Sequence, residues 1–104
     1  MKIAGDGSES SIRTLETMIK NNSVESSVEL LGAISDMENL YRNTGIFALP
    51  SRVEGFPMVL MEALSQGCPS ISFSIGGAID EMVDNNKTGL IINDNDINDF
   101  EAKL

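Results

Sequence analysis

Two carboxylates, Glu54 and Glu62, stand with seven residues, 55–61, between them; Gly55-Phe56-Pro57 follows the first and Ala63-Leu64-Ser65-Gln66-Gly67-Cys68-Pro69 the second. An ionised carboxylate only accepts hydrogen bonds, so each is suited to holding a polar ligand through its hydroxyl or N–H groups. The spacing alone is a weak signal. Residues eight apart on a helix simply share a face, and the bland readings are a solvated loop acid for Glu54 and an exposed helix residue for Glu62. The elements around them sharpen the pattern. An apolar run, Ile46 to Leu49, ends at Pro50, a short polar loop contains Gly55, and Met58, Leu60, Met61 and Leu64 then recur at helical spacing up to Gly67. This predicts a buried strand, a loop and a helix over Met58 to Gln66, with Pro57 in the first turn and Gly67 at the left-handed position past the end. A strand that runs into a helix N-terminus leaves unpaired N–H groups and positive partial charge at the loop, which makes an anion site.

The whole stretch from Phe47 to Gly67 resembles the donor-binding signature of the retaining GT-B glycosyltransferases, specifically glycosyltransferase family four (glycosyl transferases group 1). The resemblance extends to Ala4-Gly5-Asp6-Gly7 upstream and to Gly76-Gly77, Glu81 and Thr88-Gly89-Leu90-Ile91 downstream. It implies the C-terminal, donor-binding domain of an enzyme that takes a UDP- or GDP-sugar and transfers the sugar to an acceptor hydroxyl with retained anomeric configuration, without a metal. By the same resemblance Glu54 approaches the donor sugar's hydroxyls and is the candidate catalytic residue. The backbone of Gly55, Phe56, Pro57, Met58 and Val59 meets the pyrophosphate, Glu62 accepts from the ribose, and Ala33 and Ile34, after Gly32, meet the nucleobase. Gly32-Ala33-Ile34 reads equally well as a plain strand-to-helix loop. Arg52 is the only basic residue of the key loop and is either solvated or an offset to pyrophosphate charge. The family pattern also implies one further strand with a Gly-rich turn and a basic pair ahead of the first strand here, and a separate N-terminal acceptor domain. Residues 1–104 are therefore expected to be part of a longer protein, inactive alone.

Composition narrows the classes. The chain has 104 residues, 16 acidic against 7 basic, no histidine, one cysteine and a formal charge of −9. That length predicts one small domain with a modest core. The negative field repels nucleic acid. Without histidine no Ser-His-Asp or Cys-His mechanism can be assembled, and zinc sites lose their commonest ligand. No apolar run approaches the roughly 20 residues that span a bilayer, and no signal-peptide segment is evident at the N-terminus. Cytoplasmic placement is the expectation, with any membrane-surface association left to the rest of the parent. Cys68 reads as a small buried residue in a reducing compartment.

Taken in order, Ile3-Ala4 begins a strand and Ser8 caps an amphipathic helix to about Lys20, stopped by Asn21-Asn22. Val28 to Leu31 forms a second strand, and Ser35 with Glu38 has capping-box spacing before a helix carrying Met37, Leu40 and Tyr41. After the central stretch come a strand over Pro69 to Phe73, a turn at Gly76-Gly77, a short helix over Ile79 to Val83, a turn, the strand Leu90 to Ile92 and a helix capped by Asp96. Continuous apolar strands that alternate with helices predict an α/β, doubly wound, Rossmann-like three-layer domain. Its parallel sheet of about five strands would have the order 2-1-3-4-5 if the first and third strands close up, or an open slot between them if not.

Three further patterns have plainer readings. Asp94-Asn95-Asp96 has the form of an Asp-x-Asp metal motif, yet Asp96 reads as a helix cap. Gly5-Asp6-Gly7 lacks the spacing of dinucleotide or P-loop glycines and reads as a tight turn. Asn21-Asn22-Ser23 and Asn86-Lys87-Thr88 fit the glycosylation acceptor pattern by coincidence. The alternative to an enzyme is a non-catalytic, flavodoxin-like interaction or regulatory module. Its receiver-like version is disfavoured, because Leu90-Ile91-Ile92 supplies no lysine on the last strand.

Overall fold

The computed structural model describes residues 1–93 and 96–104. Asp94 and Asn95 of the Asp-Asn-Asp run lie outside the described residues, while Asp96 accepts from the Asn98 and Asp99 N–H groups as a helix cap. The elements are β1 (Lys2–Ala4), α1 (Glu9–Asn21), β2 (Glu29–Gly32), α2 (Met37–Arg42), β3 (Phe47–Leu49), α3 (Met58–Ser65), β4 (Ser70–Phe73), α4 (Ala78–Met82), β5 (Gly89–Ile92) and α5 (Ile97–Lys103). All strand pairs are parallel, as the alternation of strands and helices requires.

The chain divides into two compact units, Met1–Asp36 and Met37–Leu104. Of the two strand arrangements expected, the closed order 2-1-3-4-5 is not formed: the strands make two sheets, β1-β2 and β3-β4-β5, with the neighbours predicted within each and no ladder joining β1 to β3. In β1 only Ile3 is half-buried and its neighbours are exposed, whereas all four residues of β4 are buried, the pattern of a strand flanked on both sides.

In the first unit β1 pairs with β2, Ile3 opposite Leu30, and the register slips so that Ala4 faces Gly32. The Gly5 N–H then donates to the Gly32 carbonyl at 2.8 Å, and Gly32 adopts a left-handed φ of +65° that turns the chain out of the strand. The Ser8 hydroxyl caps α1 by accepting from the Ser11 N–H at 3.1 Å, with Glu9 in the first turn and Lys20 in the last to match the helix dipole. Asp6 accepts from the Gly7 N–H at 2.8 Å, the expected tight turn.

The second unit has the three predicted layers. Alternate residues of the sheet send Leu49 to one face, packed with Leu60, Ile79 and Val83 of the segments bearing α3 and α4. Ile71, Phe73 and Ile92 point to the other face and meet Phe100 of α5, whose ring lies 4.9 Å from that of Phe73. α2 rests on α3 and the segment after it, Tyr41 packing on Ala63 and Cys68, and Tyr41 stands edge-on to Phe47 at 5.7 Å.

Burial pushes both the Tyr41 phenol and the Cys68 thiol up from their ordinary pKa values. For Tyr41 the Glu62 charge and then Cys68 add to that first cause. The folded chain thus keeps these protons at pH values where the unfolded chain loses them. Their contribution to stability is complete below about pH 8.5 for the thiol and about pH 10 for the phenol, and falls as pH rises beyond each. Urea midpoints are expected to decline between pH 8 and 11 on that account, with Cys68→Ala removing the earlier part of the decline.

Candidate functional site

The candidate site is the loop from Pro50 to Pro57 and the helix it enters. The loop leaves the carboxyl end of β3, the edge at which open parallel sheets bind ligands. Arg52, Val53, Glu54, Gly55 and Phe56 are all exposed, whereas Pro57 is buried and anchors the chain as it turns into α3. Pro57 is the N-cap of α3 with φ −79° and ψ 83°, one residue earlier than the first-turn position predicted for it. Proline has no capping side chain, so only its carbonyl is engaged, accepting from Leu60 at 3.0 Å and Met61 at 3.3 Å. The Met58 N–H folds back on the Phe56 carbonyl at 3.0 Å, and the Val59 N–H has no acceptor among the described residues. No acidic residue lies in the first turn. α1 and α5 each carry a side-chain cap and an acid at this end; α3 carries neither, and its positive end stays open.

The far end of α3 fits its prediction. Gly67 has φ +74°, its N–H reaches the Leu64 carbonyl at 3.0 Å, and the Cys68 N–H reaches that of Ala63 at 3.0 Å, a Schellman closure. Leu60 and Ala63 face the core, which leaves Met58, Val59, Met61 and Glu62 exposed. Since the helix begins at Met58, Glu62 lies just over one turn from the open end, about 6 Å along the axis. The carboxylates of Glu54 and Glu62 have no hydrogen bond or ion pair among the described residues, nor has Arg52 an ion pair. Glu54, Gly55, Phe56, Pro57, Met58, Val59 and Glu62 are thus gathered on one loop and helix of the second unit. Ala33 and Ile34 belong to the first unit, directly after β2.

Two features are not evident in the sequence. The expected Gly76-Gly77 turn, at the carboxyl end of β4 and so on the same sheet edge as the Glu54 loop, is pinned by Asp80, whose Oδ2 accepts from the Ser74 hydroxyl at 3.0 Å and the Gly76 N–H at 3.1 Å. Polar residues flanking a Gly-Gly pair were the available signal. The second is the Tyr41 hydroxyl, buried with no hydrogen-bond partner. Helical periodicity marked Tyr41 only as a core residue.

The family model for glycosyl transferases group 1 matches residues 1–104. The chain belongs to that family. It is 29% identical over 104 residues to an uncharacterized glycosyltransferase of Haemophilus influenzae, covering all of this chain and 29% of that protein. The crystal structure of TarM superposes with a TM-score of 0.89 at 25% identity, over 98% of this chain and 20% of that one. Anabaena HepE, solved in complex with UDP-glucose, gives a TM-score of 0.79 at 27% identity over 88% of this chain and 26% of its own. These relatives are GT-B glycosyltransferases, so the Rossmann-like α/β class is established, and this chain spans less than a third of each of the three. Among the described residues no helix is long and apolar enough to cross a membrane.

Proposed function

We propose that this chain is the donor-binding part of a retaining, metal-independent glycosyltransferase that uses a nucleotide-diphosphate sugar. The observation that carries the reading is the uncapped, acid-free N-terminus of α3, flanked by two unpartnered carboxylates on a chain of this family. The diphosphate lies against the backbone of Gly55, Phe56, Pro57, Met58 and Val59, with Gly55 allowing close approach and Arg52 offsetting charge. Glu62 accepts from the ribose hydroxyls. Glu54 accepts from the sugar hydroxyls and orients the ring as positive charge develops at the anomeric carbon. The bond between the anomeric carbon and the diphosphate oxygen breaks, the acceptor oxygen forms its bond on the same face, and the acceptor's proton passes to the departing phosphate. UDP is the preferred nucleotide of the reading, since HepE was solved with UDP-glucose. The acceptor is held by an N-terminal domain of the parent protein.

This chain alone is expected to hold donor weakly and to transfer nothing. Its net charge is −9 and the basic pair that the family pattern implies is not among its residues. Incubation with UDP- and GDP-sugars, followed by assay of released nucleoside diphosphate, tests this. Sugar transfer by the isolated chain would contradict it.

A further inference from the structure

The chain has six methionines and one cysteine, and their surroundings differ. Met37 and Met82 are partly buried against the core of the second unit, and Met1 and Met18 are exposed on the first. Met58 and Met61 are 58% and 44% exposed, and both lie among the first four residues of α3. Residues three and four apart are neighbours on a helix, so Met58 stands beside both Met61 and Glu62. Helical side chains lean towards the N-terminus, which brings Met61 and Glu62 over the uncapped end that Met58 begins. Leu60 and Ala63 hold the opposite face of α3 in the core, so packing fixes this arrangement. Two thioethers therefore border the carboxylate and the helix end assigned above to ribose and diphosphate. The cysteine is placed differently. Cys68 is 2% exposed, its thiol donates to the Thr44 carbonyl at 3.4 Å, and burial pushes its pKa up. Thiol oxidation needs thiolate and access, and Cys68 is short of both. A thioether has no proton to lose, so access alone decides its oxidation.

We propose that Met58 and Met61 form a modification site for hydroperoxides, and that their oxidation to sulfoxides reversibly weakens donor binding. This rests on the reading of the α3 end as the donor site. The sulfur lone pair attacks one peroxide oxygen, the O–O bond breaks, and with hydrogen peroxide the other oxygen leaves as water. The sulfur loses two electrons and the peroxide gains them. The product replaces an apolar thioether by a polar group whose oxygen carries partial negative charge. At the open, positive end of α3 that oxygen is drawn to the same N–H groups and dipole that the diphosphate uses, and it repels the phosphate oxygens. Methionine sulfoxide reductases reverse the change, one for each sulfoxide epimer.

The test oxidises the chain with hydrogen peroxide, locates the sulfoxides by peptide mass mapping and reads UDP-glucose affinity by NMR titration before and after. Sulfoxides at Met58 and Met61 are expected to lower affinity roughly three- to tenfold, the size of a helix-end charge contact. The amides of β4 and β5 keep their positions, and the reductases restore binding. A Met58→Leu, Met61→Leu double variant serves as its own reference. Its affinity is expected to survive the same oxidation, although Met1 and Met18 still acquire sulfoxides. Full affinity in the oxidised chain, or resistance of Met58 and Met61 to peroxide that oxidises Met18, would overturn the proposal and leave the donor site in place. So would an equal loss in the double variant, or displaced β4 and β5 amides, which would mark unfolding. No saturable binding by the unoxidised chain would instead overturn the donor-site reading, and this proposal with it.

Discussion

Gly89→Ala is expected to cost the second unit about 3 kcal/mol or more of stability, at or beyond the upper end of the usual overpacking range. A Cβ at Gly89 would lie 2.3 Å from the Ser70 carbonyl oxygen, 2.8 Å from Ser70 Oγ and 3.0 Å from Val83 Cγ1. The first of these is backbone and cannot rotate away. Gly89 sits directly opposite Ser70 in the β4–β5 ladder, so relief requires β5 to move off the central strand. Ile92, fully buried against Phe73 and Phe100, moves with it. A loss of this size raises the unfolded fraction about a hundredfold, a large share of what a small domain has. Urea unfolding followed by fluorescence of the single tyrosine, Tyr41, reads the second unit directly. Gly45→Ala is the control: a Cβ there meets nothing within 4 Å, and a change within about 0.5 kcal/mol is expected. An equal, small effect at both positions would mean that β5 does not lie in the register described.

Glu62→Ala is expected to weaken UDP-sugar binding roughly ten- to a hundredfold with little change in Tm. Removing one charge-assisted hydrogen-bond acceptor costs about 1.5 to 3 kcal/mol, which sets that range. Stability is spared because the Glu62 carboxylate is exposed, makes no ion pair among the described residues and leaves a good helix former behind. The combination separates a ligand contact from a structural role. Glu38, which pairs with Arg42 on the surface at 3.5 Å, provides the contrast, since its removal is expected to leave binding unchanged.

Much of the second unit was legible because its signals are local. The Asp96 cap, Gly67 past the end of α3 and the strand–loop–helix order around Glu54 each follow from a few adjacent residues. So does Ser8 at the start of α1 in the first unit. The candidate site was legible for the same reason, since a loop and one helix turn hold Glu54 and Glu62. What was not legible depends on distant partners. Lys2-Ile3-Ala4 is too short to show whether a strand lies on its other side, so the sequence left both a closed five-stranded sheet and a break between the first and third strands open, and the break is what formed. The division at Asp36 follows from that missing ladder and has no composition signal. Tyr41 and Asp80 were missed because an unpaired hydroxyl and a carboxylate aimed at a turn are properties of packing, invisible in periodicity.

The most direct test of the account is a two-dimensional NMR titration of the isotope-labelled chain with UDP-glucose at low salt. The account predicts weak, saturable shifts concentrated in the amides of Glu54, Gly55, Phe56, Met58, Val59 and Glu62. Saturable shifts confined to other segments, or none at all, would contradict the assignment of the donor site to the loop after β3 and the open end of α3.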